Sequence, residues 1–191
     1  IEMVNINELE EYLKNNLIEK RFNHVLRVRD MAKDLAKHYG MDEDKAEIAA
    51  LGHDIAKNMK IDELKRIINE NNIILTEDEE KTPELWHAMV APIICRSVFK
   101  IEDEEVLGAM RWHTTGKANM TSLEKLIYIA DMIELGRNFP GVEELRKYAF
   151  EDLDKGVLHG LTHSIKYLLD KNLLININSI EARNSLIMEN K

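Results

Sequence analysis

The sequence predicts a single all-α domain, and three observations carry that reading. Gly and Pro are scarce (8 and 3 residues of 191), while Leu, Ile, Ala, Glu and Lys are abundant, a balance that favours helix over sheet. Apolar residues recur at helical spacing in almost every segment. Capping signals separate those segments, and no repeat, low-complexity tract or linker divides the chain. The length of 191 residues suits one domain with a real core.

The elements follow in order. Asn7-Glu8-Leu9-Glu10 resembles a capping box and opens a short helix with Leu9, Leu13 and Leu17 on one side. A second helix is expected from about Arg21 to Tyr39, stopped by Gly40. Arg21, His24 and Arg27, spaced by three, share one of its faces. Asp42 caps a third helix, whose small residues Ala46, Ala49 and Ala50 lead to Leu51-Gly52-His53-Asp54. An amphipathic helix spans Asp62 to Glu70, and Asn71 to Lys81 reads as a loop or short capped turn. Thr82-Pro83 reads as an N-cap with Pro at the first helical position of a helix to Phe99 that carries His87. Another helix runs from about Asp103 to His113, followed by the polar turn Thr114-Thr115-Gly116-Lys117. Thr121-Ser122-Leu123-Glu124 is a second capping box, opening a helix with the apolar run Leu126 to Ile133. After the loop between Gly136 and Pro140, one long helix is expected to about Leu169. A turn around Leu174 to Asn178 and a short terminal helix from near Ser179 close the chain.

Composition narrows the function. The net charge of −9 repels nucleic acid and anionic membrane surfaces, so an anionic substrate needs cations placed locally. The lone Cys95 rules out an internal disulfide and fits a reducing compartment. No run approaches the ~18 apolar residues of a membrane helix and no signal peptide is visible, so the expectation is a cytoplasmic protein.

The chemistry-bearing residues fall in the order His24, His53-Asp54, His87, His113, Asp131. Asp131 sits inside an apolar helical run, beyond reach of the N-terminal cap. A carboxylate there must be paired, neutralised or bound to a cation. His38, His159 and His163 lack such company and read as ordinary core or surface residues. Imidazole with carboxylate suits iron, manganese, cobalt or zinc; it is not a calcium cage, and without thiolates it is no structural zinc knot. A divalent transition metal in catalysis is therefore expected, acidifying water and polarising a phosphoryl oxygen. Arg21, Arg27, Lys57, Lys117 and Arg137 lie beside the motif residues. Each alone is as well read as a solvated charge, but their concentration in an acidic protein points to a phosphate substrate.

These residues resemble a known family. His24, His53-Asp54 and Asp131 look like the metal-dependent phosphohydrolases of the HD domain. Arg21-Phe22-Asn23-His24-Val25, His53-Asp54-Ile55-Ala56-Lys57, Trp112-His113-Thr114-Thr115-Gly116, Ile129-Ala130-Asp131 and Arg137-Asn138-Phe139-Pro140-Gly141 are similar to the YqeK-type symmetrical bis(5′-nucleosyl)-tetraphosphatases. The likeness extends to Glu181-Ala182-Arg183-Asn184. It implies a single HD-domain helical bundle over residues 1–191, with a core at about 20–136 and C-terminal helices at about 142–190 packing on it.

The resemblance also implies an iron-type centre, with manganese or cobalt as the other candidates and one metal favoured over two. The implied reaction is cleavage of diadenosine tetraphosphate to two ADP by a metal-bound water. His24, His53, Asp54 and Asp131 would hold the metal. His87 and His113 would either bind a second metal, with Asp54 bridging, or contact phosphate and handle protons; the phosphate role is favoured for this branch. Arg21, Lys57, Thr114 and Arg137 would bind the nucleotide, and the turn holding Asn176 and Ile177 would close over its base or ribose.

Two other readings stand beside this one. The first is an HD nucleotidase acting on mononucleotides; the second is a non-catalytic nucleotide sensor. The alarmone hydrolases carry a Glu-Asp pair soon after the motif, where this chain has Lys57-Asn58-Met59-Lys60, and the Gly-Tyr-Pro signature of cyclic-dinucleotide enzymes is absent. Exposed apolar helix faces make a homodimer the expected assembly.

Overall fold

Eleven helices and no strand are present among residues 4–191, the part described by the computed structural model. In order they are α1 (Ile6–Asn16), α2 (Glu19–Tyr39), α3 (Glu43–Gly52), α4 (Ile61–Glu70), α5 (Glu77–Glu80), α6 (Trp86–Phe99), α7 (Glu104–Arg111), α8 (Ser122–Ile133), α9 (Val142–Glu151), α10 (Leu153–Asp170) and α11 (Ile177–Glu189). None of these helices is long and apolar enough to cross a membrane.

The centre of the bundle is α8. Leu126, Ile127, Ile129, Ala130 and Ile133 on it are fully buried, and it packs against α2, α3, α7, α9 and α10. Burying one such Leu or Ile side chain is worth about 1.5–3 kcal/mol. That apolar packing holds the helix firmly enough to offset the burial of the one carboxylate, Asp131, that it turns toward α2 and α3. The pair α2 and α3 packs on this helix, and α6 and α7 pack together on α3, with α7 also reaching α8. Gly52 sits where the end of α3 meets α6 and α7. A Cβ there would lie 3.0 Å from both Cys95 Sγ on α6 and Met110 Sδ on α7. A side chain at residue 52 would crowd both sulfurs, and the end of Met110 would have to move to admit it.

Several local expectations are corrected. Helix α1 is capped by Asn5, whose side chain accepts from the Glu8 amide, so Asn7 lies inside the first turn. Helix α3 ends at Gly52, and His53 and Asp54 occupy the tight turns that follow. The stretch from Asn71 to Lys81 does hold the expected short capped turn, the four-residue α5, opened by a capping box of Thr76 and Glu79. Thr82 does not cap, because its hydroxyl donates to the Asp78 carbonyl at 2.7 Å; Pro83–Leu85 form a 3₁₀ turn and α6 starts at Trp86.

The long helix expected in the last third is two helices. Asp152 is extended (φ −159°, ψ 122°), ends α9, and caps α10 by accepting from the Lys155 amide. The terminal helix is longer than expected: Asn176, not a residue near Ser179, is its cap, accepting from the Asn178 amide at 2.9 Å.

Candidate metal centre

Five helices bring the motif residues together. His24 comes from the body of α2, His87 from the first turn of α6 and Asp131 from the last turns of α8. His53 and His113 each stand one or two residues past a helix end, and there the local structure aims them. The last carbonyls of a helix lack intrahelical partners. The Nδ1–H of His53 donates to the Ala50 carbonyl at 2.5 Å, and that of His113 to the Met110 carbonyl at 2.6 Å. A carbonyl can only accept, so both rings carry a proton on Nδ1, and in the neutral ring it is the Nε2 lone pair that faces inward.

The inward-facing atoms form two adjoining sets. In the first, His24 Nε2 lies 2.9 Å from Asp131 Oδ1 and 3.6 Å from Asp54 Oδ2, while His53 Nε2 lies 3.4 Å from Asp54 Oδ2 and 3.6 Å from Asp131 Oδ1. Both Nε2 atoms are buried, and neither has a partner in hydrogen-bond geometry. In the second set, His87 Nε2 and His113 Nε2 each lie 3.3 Å from Asp54 Oδ1 and 3.2 Å from one another. Asp54 thus turns one oxygen to each set. Buried lone pairs without partners are costly. Two of them beside two carboxylates fit a divalent transition metal, and two groups, His24/His53/Asp131 and His53/Asp54/His113, are compact enough to hold one.

The electrostatics agree. Burial opposes the charge on Asp54, but His53, His113 and His87 outweigh it and hold the carboxyl well below its usual range. Burial likewise opposes the charge on Asp131, and His24 and His53 override it in the same direction. Burial disfavours a protonated His53, yet Asp54 and Asp131 push it up to about 10. The pair of carboxylates therefore demands positive charge at the Nε2 positions, which protons supply when no metal does. His87 shifts the other way: burial lowers it and the neighbouring His113 and Lys57 add to that, against the pull of Asp54.

The expected substrate contacts divide. Arg21 Nη1 reaches Asp54 Oδ2 at 3.1 Å, and Arg137 Nη2 reaches Asp131 Oδ1 at 3.2 Å, so both guanidiniums border the donor set from its solvent side. Lys57 is close enough to bear on His87. The Thr114 hydroxyl is buried without a hydrogen-bond partner. Arg27 instead lies on Glu134, and Lys117 reaches toward Glu124 at 3.7 Å. Asn176 is buried and its amide points to Glu79 at 3.4 Å, while Ile177 is exposed. His38, His159 and His163 stand outside the cluster: His38 contacts the Phe150 carbonyl, His159 packs on Tyr148 and His163 stacks on Phe139.

Sequence reasoning missed Glu134. Its side chain is 1% exposed and its Oε2 accepts from His24 Nδ1 at 2.7 Å. Glu134 follows Asp131 by three residues and ends the same apolar run, so it carries the same signal of a carboxylate in need of a partner. Arg146 on α9 was missed too; it donates to the carbonyls of Ile133, Glu134 and Arg137 and ties down the end of α8.

Residues 21–136, which contain every inward-facing group of this cluster, match the HD domain family. The chain belongs to that family. Membership implies a divalent metal, which the two His/Asp groups are able to hold. The symmetrical bis(5′-nucleosyl)-tetraphosphatase of Halalkalibacterium halodurans is 41% identical over 185 residues, covering 95% of this chain and 96% of the relative. The Bacillus subtilis protein of the same description is 41% identical over 160 residues, covering 84% of this chain and 86% of its own. A crystal structure of a Clostridium acetobutylicum protein, described as a predicted HD superfamily hydrolase involved in NAD metabolism, superposes with a TM-score of 0.95. It shares 44% identity and covers 98% of this chain and all of its own. Within the HD family, the chain stands with these tetraphosphatases over nearly its whole length.

Proposed function

We propose that this HD protein is a metal-dependent hydrolase that cleaves diadenosine tetraphosphate symmetrically into two molecules of ADP. The observation that carries the reading is the His24/His53/Asp131 group with Asp54 Oδ2 within 3.6 Å of both imidazoles, in a chain 41% identical over 95% of its length to a relative named for that activity. These four residues are assigned as ligands of one ion, iron in preference to manganese or cobalt. When bound, the metal supplies Lewis acidity toward a phosphate oxygen and toward water.

The chain's own groups do the rest. Asp54 and Asp131 now occupy Arg21 and Arg137; once a cation satisfies those carboxylates, both guanidiniums are free to engage phosphate oxygens. Thr114 offers its unpartnered hydroxyl to the same phosphates, and Lys57 adds charge at the His87 side. His87 and His113 are assigned to phosphate contact and proton handling. Burial favours neutral His87, which suits it to take up a proton, so Lys57 and Arg137 carry the offsetting charge. Positioning and fixed charge supply most of the acceleration in phosphoryl transfer. The turn with Asn176 and Ile177 is assigned to the base or ribose; Arg27 and Lys117 are engaged by carboxylates and are assigned outer roles at most.

The wider reading is of one folding unit over the HD core and the C-terminal helices, in the cytoplasm. Exposed Tyr167, Leu169, Leu173 and Leu174 favour a homodimer, which sedimentation would test.

A product assay tests the function. Protein loaded with iron(II) or manganese(II) is incubated with diadenosine tetraphosphate, with mononucleotides, and with NAD because of the clostridial relative's description. ADP as sole product supports the proposal. AMP with ATP overturns symmetrical cleavage, and phosphate release from mononucleotides alone favours the nucleotidase reading.

A further inference from the structure

The two metal-facing imidazoles are not mounted alike. His53 uses a free carbonyl at the end of its own helix. His24 cannot, because it lies in the body of α2, where each carbonyl is taken by the amide four residues on. Its Nδ1 must be held by something from outside the helix. Glu134, 110 positions later, lies there at 2.7 Å. The Glu134 carboxylate is itself gripped: Arg27 Nε donates to Oε1 at 3.2 Å and Oε2 at 3.1 Å, one turn beyond His24 on the same helix. Arg146 holds the Glu134 carbonyl at 2.8 Å. Residue 136 is glycine where Arg27 crosses it, since a Cβ there would meet the guanidinium carbon at 2.6 Å.

We infer that Glu134, locked by Arg27 in the space left by Gly136, is a positioning residue that fixes the tautomer and aim of His24 toward the metal. The carboxylate accepts a hydrogen bond from Nδ1–H, leaves the Nε2 lone pair facing Asp131 and Asp54, and strengthens it as a donor. Arg27 keeps the buried carboxylate ionised and stops it from turning inward to bind the metal itself. The inference rests on the assignment of His24 as a metal ligand.

Manganese(II) affinity, measured by competition with a fluorescent chelator, tests it alongside the melting temperature of the metal-free protein. Glu134→Ala is expected to weaken affinity by about 10–100-fold while melting stays cooperative. Glu134→Gln keeps an acceptor oxygen for Nδ1–H and is expected to lose less than Glu134→Ala. Gly136→Ala leaves Glu134 and His24 in place but displaces Arg27, and is expected to reduce affinity several-fold, in the same direction; it carries the test if Glu134→Ala does not fold. Leu186→Ala, a core truncation on α11, is the stability control: its melting temperature falls with affinity unchanged. Wild-type affinity in Glu134→Ala, alongside loss in His24→Ala, overturns the inference alone. Wild-type affinity in His24→Ala overturns the ligand assignment and the inference with it.

Discussion

His24 and His53 face the same two carboxylates from neighbouring helices, each forming one wall of the site, and they are held there by different physics. His53 and His113 are aimed by carbonyls three residues behind them, so their orientation is built into the ends of α3 and α7. His24 is aimed by Glu134, and through it by Arg27, Gly136 and Arg146. The first arrangement is local and needs no particular side chain as partner. The second is assembled only when α2, α8 and α9 have docked. One wall of the site is therefore insensitive to side-chain replacement around it, whereas the other depends on charges far away in sequence.

The most damaging test lies where both walls meet. Asp54 touches both sets of imidazoles, so Asp54→Ala should remove metal and activity together. The expected fall in kcat is at least about 10³-fold, the upper range for losing one preorganised donor. Metal analysis and kinetics on one preparation check it; metal retained without activity would separate the two roles.

The next effect divides the walls. Met110→Leu conserves volume and leaves the Met110 carbonyl in place, so it should cost under about 1.5 kcal/mol of stability and leave manganese affinity within about twofold. The contrast with Glu134→Ala, read by the same titration, would vanish if both walls were mounted alike. Arg137→Ala acts at the solvent side of the first wall. Its charged hydrogen bonds are worth about 1.5–3 kcal/mol, so KM for the dinucleotide should rise about 10–100-fold with a smaller change in kcat. Equal loss in kcat alone would move Arg137 from substrate binding to the chemical step.

Metal removal is a gentler probe of the whole cluster. At a metal concentration 100 times its Kd, binding adds about 2.7 kcal/mol. For a domain of this size, chelation should lower the melting temperature by about 5–10 °C. An unchanged melting temperature would mean that the cluster binds no ion in the folded state.

The smallest effect comes from the apolar side of Gly52, where Cys95 is fully buried and burial alone pushes its thiol from 9.0 up to about 12. The folded state holds this proton longer than the unfolded chain does. The stabilisation is thus complete below pH 9 and declines as the pH rises toward about 12. Urea midpoints at pH 8 and pH 10 should differ more in the wild type than in Cys95→Ala. An equal shift in both would assign the alkaline loss elsewhere.

The same contrast explains what the sequence could disclose. The helical class was legible because periodicity and caps are local, and Asp131 stood out because a carboxylate in the run Leu126 to Ile133 needs a partner. The order of the histidines was legible through its resemblance to known HD proteins. The break at Asp152 was not, because Glu151-Asp152-Leu153-Asp154 continues a helical polar face and only the cap to Lys155 ends it. Glu134 escaped for the complementary reason: its partners His24 and Arg27 are more than a hundred positions away, and their spacing gives no periodic signal. What a turn or cap enforces is written nearby; what docking enforces is visible only once the helices meet.

The most direct measurement of the central assignment is anomalous scattering from crystals of the protein soaked in manganese(II). One peak is expected at about 2.0–2.3 Å from His24 Nε2, His53 Nε2 and carboxylate oxygens of Asp54 and Asp131, the range for N and O ligands of such ions. A peak held by His87 and His113 without His24 would contradict that assignment.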